Sequence, residues 1–177
     1  MTVPKGIDMV LPKRKHTRLP GYSYSTEGYY YVTICTQDRQ KLFWNFHGIN
    51  EFGLLAEKEL LGLSGHYENV KIDKYTIMPD HIHCIVVIGC GERAERSRPF
   101  PTLSNIIGLY KSGVSREMRK ISPNIQVWQK SFHDHIIRDK NDYIEIWQYI
   151  DENPILRTAT MDTMAASTIR KNVGEQG

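Results

Sequence analysis

The stretch Met78-Pro79-Asp80-His81-Ile82-His83-Cys84-Ile85-Val86-Val87-Ile88 limits what this chain can fold into more than any other. The run is short, rich in β-branched residues and bounded by Pro79 and Gly89, which predicts a strand and not a helix. Side chains two apart in a strand leave from one face. His81 and His83 therefore project together, and Ile85 and Val87 continue their face. Two imidazoles interrupt an otherwise apolar surface at its end nearest a turn, where an open coordination position is easily kept. Neutral imidazole is a ligand for several divalent ions. The competing reading is two partly buried structural histidines, hydrogen-bonded to backbone or carboxylate.

The elements around this strand predict a single domain. Tyr29 to Thr36 reads as a first strand, aromatic and β-branched. Asn50 is placed to cap a helix running to about Leu63, with Phe52, Leu55, Ala56 and Leu60 on one stripe and Gly65 as its stop. Val70 to Met78 and His81 to Ile88 read as strands two and three, joined by Pro79-Asp80. Gly89 to Pro101 is polar and reads as a mobile loop. A helix follows from about Thr102 to Lys120, with Leu103, Ile106, Ile107, Tyr110, Val114 and Met118 as its apolar stripe and Lys111, Ser115 and Arg119 along another face. Gln126 to Arg138 reads as a fourth strand. Asp139 then caps a last helix ending near Asn153, with Asp142 placed as in a capping box.

The order β-α-β-β-α-β-α predicts an α+β fold of the ferredoxin-like, split-βαβ, RRM-like kind. This is a four-stranded antiparallel sheet with helices on one face, plus the C-terminal helix. The most apolar strands, one and three, belong at its centre. The domain spans 29–157, between a basic N-terminal arm (1–28) and a flexible C-terminal tail (158–177).

Bulk properties exclude little. The net charge of +3 over 177 residues is too small to indicate nucleic acid by itself. Its distribution is more telling, because residues 1 to 18 carry Lys5, Lys13, Arg14, Lys15 and Arg18 against Asp8 alone. Cys35, Cys84 and Cys90 form no CxxC pair, and an odd count without disulfide spacing fits a reducing, cytoplasmic compartment. There is no apolar leader after the basic start and no run long enough to span a bilayer, so no membrane association is expected.

A second signal stands far downstream in Tyr149-Ile150-Asp151-Glu152-Asn153-Pro154. Tyr149 and Asn153 share a helix face at i, i+4. With Tyr143, Ile146, Trp147 and Ile150 as the apolar stripe, Tyr149 lies roughly 110° from its centre at about 100° per residue. That is the flank, where a core tyrosine is less expected. Pro154 disfavours helical geometry at Asn153 and ends the helix there. The plain alternative makes Asn153 a C-cap and Tyr149 a boundary residue.

Taken together, Met78-Pro79-Asp80-His81-Ile82-His83 and the later Tyr149-Ile150-x-x-Asn153-Pro154 resemble the single-tyrosine HUH transposases, and most of all the REP-associated tyrosine transposases. Similar stretches are Gly21-Tyr22 to Gln37-Asp38-Arg39, Thr102 to Ser112, and Trp128 to Arg138; the resemblance covers roughly 13 to 156. It implies that His81 and His83 bind a divalent metal, Mg2+ or Mn2+. It also implies that Tyr149, on a catalytic helix, is the nucleophile and that Asn153 matches a third ligand, a position often held by Gln. The implied activity is cleavage and rejoining of single-stranded or hairpin-flanked DNA through a covalent 5′-phosphotyrosine. Implied partners are single strands with palindromic hairpins, and the implied state is a monomer or homodimer.

Arg14, Lys15, Arg18, Lys111, Arg119 and Arg138 are candidate DNA contacts. His133 and His135, which share a strand face, are candidates for site support, with a second metal site as the rival reading. Other functions fit less well. An RNA-recognition module wants stacking aromatics where strand three carries histidines, and a histidine-triad hydrolase wants a third histidine where Ile85 stands. A hairpin-binding descendant of a transposase that no longer cuts shares every motif.

Overall fold

The computed structural model describes residues 26–89 and 100–153. The elements are β1 (Gly28–Cys35), a 3-10 turn (Gln37–Arg39), β2 (Trp44–Asn45), β3 (Gly48–Ile49), α1 (Glu51–Leu61), α2 (Leu63–His66), β4 (Val70–Ile77), β5 (His81–Ile88), α3 (Leu103–Ile121) and β6 (His133–Ile137). A last helix, α4, covers 140–153. Residues 1–25, with most of the expected basic arm, 90–99, with Cys90, and 154–177, with Pro154 and the expected tail, lie outside the described residues.

Strand order in the main sheet is β4-β5-β1-β6, with every pairing antiparallel. The two most apolar strands are central, as expected, and β5 is buried along its whole length. Its even-numbered side chains, Ile82, Cys84, Val86 and Ile88, join Tyr30, Val32 and Ile34 of β1. Ala56 and Leu60 of α1 and Ile106, Ile107, Tyr110 and Val114 of α3 complete this main core. The odd-numbered Ile85 and Val87 belong to a second, smaller cluster with Ile150, against which Tyr31, Ile137, Tyr143 and Ile146 pack. The sheet thus lies between two layers, with α1 and α3 on one face and α4 on the other.

A β-bulge decides how α4 docks. The β4–β5 register shifts between Ile72 and Lys74, so that Ile72 pairs with Val86 and Lys74 with Ile85. The inserted residue, Asp73, lets two consecutive side chains reach α4. Asp73 accepts a 2.5 Å hydrogen bond from the Tyr143 hydroxyl. Lys74 pairs with Asp151, and its ammonium sits 3.8 Å over the Trp147 ring. Ile150 is completely buried beneath them.

Several expected boundaries move. The fourth strand is only His133–Ile137, not Gln126 to Arg138, and Trp128 contributes a single bridge to Thr36. Residues before β6 are tied to α3 instead. The Lys111 ammonium donates to the Gln129 and Ser131 carbonyls, and the Trp128 indole donates to the Lys111 carbonyl. Gly65 does not stop the first helix, which breaks at Gly62 and resumes as α2. Asp139 caps α4 by accepting from the Asn141 and Asp142 amides. Asp142 does not close a capping box with it, accepting instead from the Arg138 amide and from His135. The β2–β3 hairpin has no counterpart in the sequence pattern, and the Trp44 indole anchors it by donating to the Ile77 carbonyl.

Truncating Ile150 to alanine removes the apolar peg that holds α4 to the sheet. It is expected to cost about 2–4 kcal/mol in urea unfolding; a loss below about 1 kcal/mol would show that α4 docks chiefly through Asp73 and Lys74.

Candidate functional site

His81 and His83 both lie on the α4 face of β5, as the alternation predicts, and are nearly buried at 6% and 5% exposure. Their Nε2 atoms are 3.0 Å apart, with the rings nearly perpendicular. Two lone pairs at that distance repel unless a proton or a cation lies between them. Two ligands at right angles about an ion with bonds of about 2.1 Å are also about 3.0 Å apart. The pair therefore has the spacing of two adjacent ligands of one divalent metal.

The other ring nitrogens are fixed from behind. The Asp80 carboxylate lies 2.6 Å from Nδ1 of His81, and it also pairs with Arg39 at 3.7 Å. Nδ1 of His83 is 2.7 Å from the Tyr31 hydroxyl and 3.0 Å from that of Thr33. With Nδ1 protonated on both rings, each donates to an oxygen and presents the Nε2 lone pair toward the other, the arrangement that orients metal-binding imidazoles. Burial pushes the Tyr31 hydroxyl up to about 12, so it stays protonated and neutral at ordinary pH. The turn carrying Asp80 is held from two sides. Its carbonyl accepts from the Thr36 amide and hydroxyl, and the Pro79 carbonyl accepts from the Phe43 amide.

Tyr149 reaches this pair from α4. Its ring lies edge-on to His83 with centroids 5.4 Å apart, and edge-on to Tyr31 at 6.4 Å. It is 52% exposed, so a ring in contact with His83 is also open to solvent. Asn153, one turn on, donates through Nδ2 to the Tyr149 carbonyl at 2.8 Å. This is the helix-terminal bond of the plain reading, and it leaves Oδ1 as the atom with which Asn153 can act as a ligand. Among the described residues no cluster of three or more His, Cys, Asp and Glu is placed to hold a metal ion.

The other expected site residues divide. Thr33 pairs with His83 on one side and His133 on the other, while Tyr31 pairs with His135. Both β6 histidines therefore share the site face. Both are exposed. His135 bonds the Asp142 carboxylate at 2.8 Å, joining β6 to the first turn of α4. Arg138 is exposed at the end of β6 beside that turn. Lys111 is half-buried among the carbonyls it holds, and burial lowers its pKa. Arg119 sits on α3, in the layer across the sheet from the histidines. Arg14, Lys15 and Arg18 lie outside the described residues.

Three supports were not singled out from sequence: Tyr31, Thr33 and Asp80. The same period-two rule that pairs the histidines could have found the first two, once β1 is set beside β5. Asp80 adjoins His81 directly.

Comparison with known proteins adds the following. The family of IS200-like transposases matches residues 24–153. An uncharacterised protein of Haemophilus influenzae is 31% identical over 160 residues, covering 81% of this chain and 89% of its own. A second protein of that organism, provisionally named a REP-associated tyrosine transposase, is 29% identical over 140 residues, covering 75% of this chain and 73% of its own. Among solved structures, a REP-associated tyrosine transposase bound to a REP hairpin superposes with a TM-score of 0.54. It is 17% identical and covers 79% of this chain and 73% of that one. This last likeness speaks for the fold alone.

Replacing Asp80 by Asn removes the carboxylate behind His81 while keeping the turn's backbone bonds. The expected result is a drop of about 10- to 100-fold in Mn2+ affinity by titration calorimetry, with the melting temperature nearly unchanged. Undiminished affinity would show that Asp80 does not set the imidazole's tautomer.

Proposed function

The chain belongs to the IS200-like transposase family, and from that premise we propose that it cleaves and rejoins single-stranded, hairpin-flanked DNA with Tyr149 as nucleophile and a divalent metal at His81 and His83. The observation that carries this reading is the edge of Tyr149 against His83, beside two Nε2 atoms at ligand spacing. Asn153 Oδ1 is the proposed third protein ligand. Mg2+ or Mn2+ held there supplies Lewis-acid polarisation of the phosphate and neutralises developing charge.

The chain's own groups do the rest. α4, pinned by Ile150, Asp73 and Lys74, aims the Tyr149 ring across the histidine pair. The Tyr149 oxygen attacks phosphorus and its phenolic proton leaves to solvent. The bond from phosphorus to the 3′ oxygen breaks, and that oxygen takes up a proton. The products are a 5′-phosphotyrosine and a free 3′-hydroxyl. The number of phosphoester bonds is conserved, so another strand's 3′-hydroxyl can reverse the step without ATP. Tyr31, bonded to His83, holds the imidazole.

A hairpin partner is supported by the related transposase solved on a REP hairpin. Because α4 docks on its own sheet, one chain supplies every residue of the proposed site, which supports a monomer competent for chemistry. Of the basic candidates, the arm and Arg138 remain the proposed backbone contacts, since Lys111 is committed to carbonyls and Arg119 lies in the other layer. Among the described residues no helix is long and apolar enough to cross a membrane.

The test is a denaturing gel of the protein with end-labelled single-stranded hairpin DNA from its own gene's flanks, in Mn2+ and in chelator. The expected result is a Mn2+-dependent covalent adduct that Tyr149→Phe abolishes while retaining hairpin binding. Tight binding without adduct would indicate a DNA-binding descendant that no longer cuts, and equal adduct from Tyr149→Phe would overturn the nucleophile.

A further inference from the structure

At the start of α4, on the same sheet face as the histidines, an open groove of about 410 Å³ is lined by Tyr29, Ile137, Arg138, Asp139, Lys140 and Tyr143. We propose that this groove docks one unstacked nucleotide of the DNA strand, its base against Tyr29 and its phosphate on Arg138 and Lys140. The proposal rests on the reading above that the chain binds DNA, and adds a site remote from the cutting residues.

The walls suit a base. Tyr29 is the second residue of β1 and is 43% exposed, an unusual position for a large ring on a strand flanked by two others. It meets Tyr143 edge-on at 5.6 Å. Tyr143 is itself fixed through its hydroxyl to Asp73, the bulged residue of β4. One ring is thus held rigid while the other keeps an accessible surface, with Ile137 paired beside it across the sheet. A rigid aromatic surface binds any base by stacking, with little regard to its identity.

The charges suit a phosphate. Arg138 and Lys140 are both exposed, and neither makes an ion pair among the described residues. The acids nearby are already engaged. Asp139 accepts from the first amides of α4, and Asp142 accepts from His135 and from the Arg138 amide. The helix terminus is therefore closed by its own cap, and the two side-chain cations are what remains for an anion.

Position connects the groove to the site. Tyr29 is four residues from Thr33, which touches His83, or about 13 Å along β1. Between them lies Tyr31, edge-on to Tyr149. The groove thus shares the histidines' face of the sheet. A free phosphate would use the cations but not the Tyr29 ring, whereas a nucleotide uses both.

The experiment measures binding alone, by fluorescence anisotropy in the Tyr149→Phe chain. The probes are a fluorescein-labelled oligothymidylate and an abasic oligonucleotide of equal length and charge. Tyr29→Ala and Tyr29→Leu are expected to weaken oligothymidylate binding about 5- to 150-fold, the range for one lost stacked base, and to leave abasic binding nearly unchanged. Tyr29→Phe is expected to bind like its parent. Arg138→Gln and Lys140→Gln are each expected to weaken both probes and lower the salt slope by about one. Tyr29→Leu keeps an apolar wall without a π face, so a folding defect in Tyr29→Ala does not obscure the result. Tyr29 variants that bind both probes as the parent does, or lose both equally, overturn the groove, as does a parent chain that binds neither probe. Because no cleavage is involved, the base-dependent pattern together with no adduct from the wild-type chain would uphold the groove and indicate a DNA-binding descendant that no longer cuts; adduct without the pattern would uphold the cutting reaction and overturn the groove.

Discussion

The site depends on alternation along one doubly buried strand. β5 is covered by α1 and α3 on one face and by α4 on the other, so each of its residues must serve one of two interiors. The even positions are apolar and build the main core. The odd positions begin with His81 and His83 and end with Ile85 and Val87, so a polar end and an apolar end share one surface. The apolar end seats Ile150 and thereby α4; the polar end lies beneath Tyr149. A slip of one residue in the β5 register would send both imidazoles into the main core and detach the helix.

Burying two imidazoles is costly unless their nitrogens have partners. Here Asp80, Tyr31 and Thr33 take the Nδ1 atoms, and the two Nε2 atoms are left facing each other. Between the rings the 3.0 Å contact is one that a shared proton holds together and that a cation could replace. On the α4 side the polar groups again come in satisfied pairs: Tyr143 with Asp73, Lys74 with Asp151, and His135 with Asp142. These fix the helix over the strand without requiring a large apolar interface.

Much of this was legible in the sequence because it follows from periodicity. The strand pair, the central place of β1 and β5, the shared face of His81 and His83, and the stripe of α3 all come from spacings of two or of three and four. Tyr149 on the flank of its helix stripe was legible for the same reason, as was the common face of His133 and His135. What was not legible depends on tertiary contacts. The fourth strand is shorter than its pattern because Lys111 and Trp128 tie the preceding residues to α3. The bulge at Asp73 shows in the sequence only as a break in alternation, where Asp73-Lys74 shifts the apolar positions from Val70 and Ile72 to Tyr75 and Ile77; that it fixes α4 depends on tertiary contacts. Lys111, a reasonable phosphate contact by spacing, is committed to backbone carbonyls, and no spacing rule reveals that.

The most direct test of the central claim is anomalous scattering from a crystal of the protein soaked in Mn2+. The account predicts one peak at about 2.1–2.2 Å from Nε2 of both His81 and His83, beneath the Tyr149 ring. Crystals that take up Mn2+ elsewhere, or hold it on one histidine alone, would contradict it.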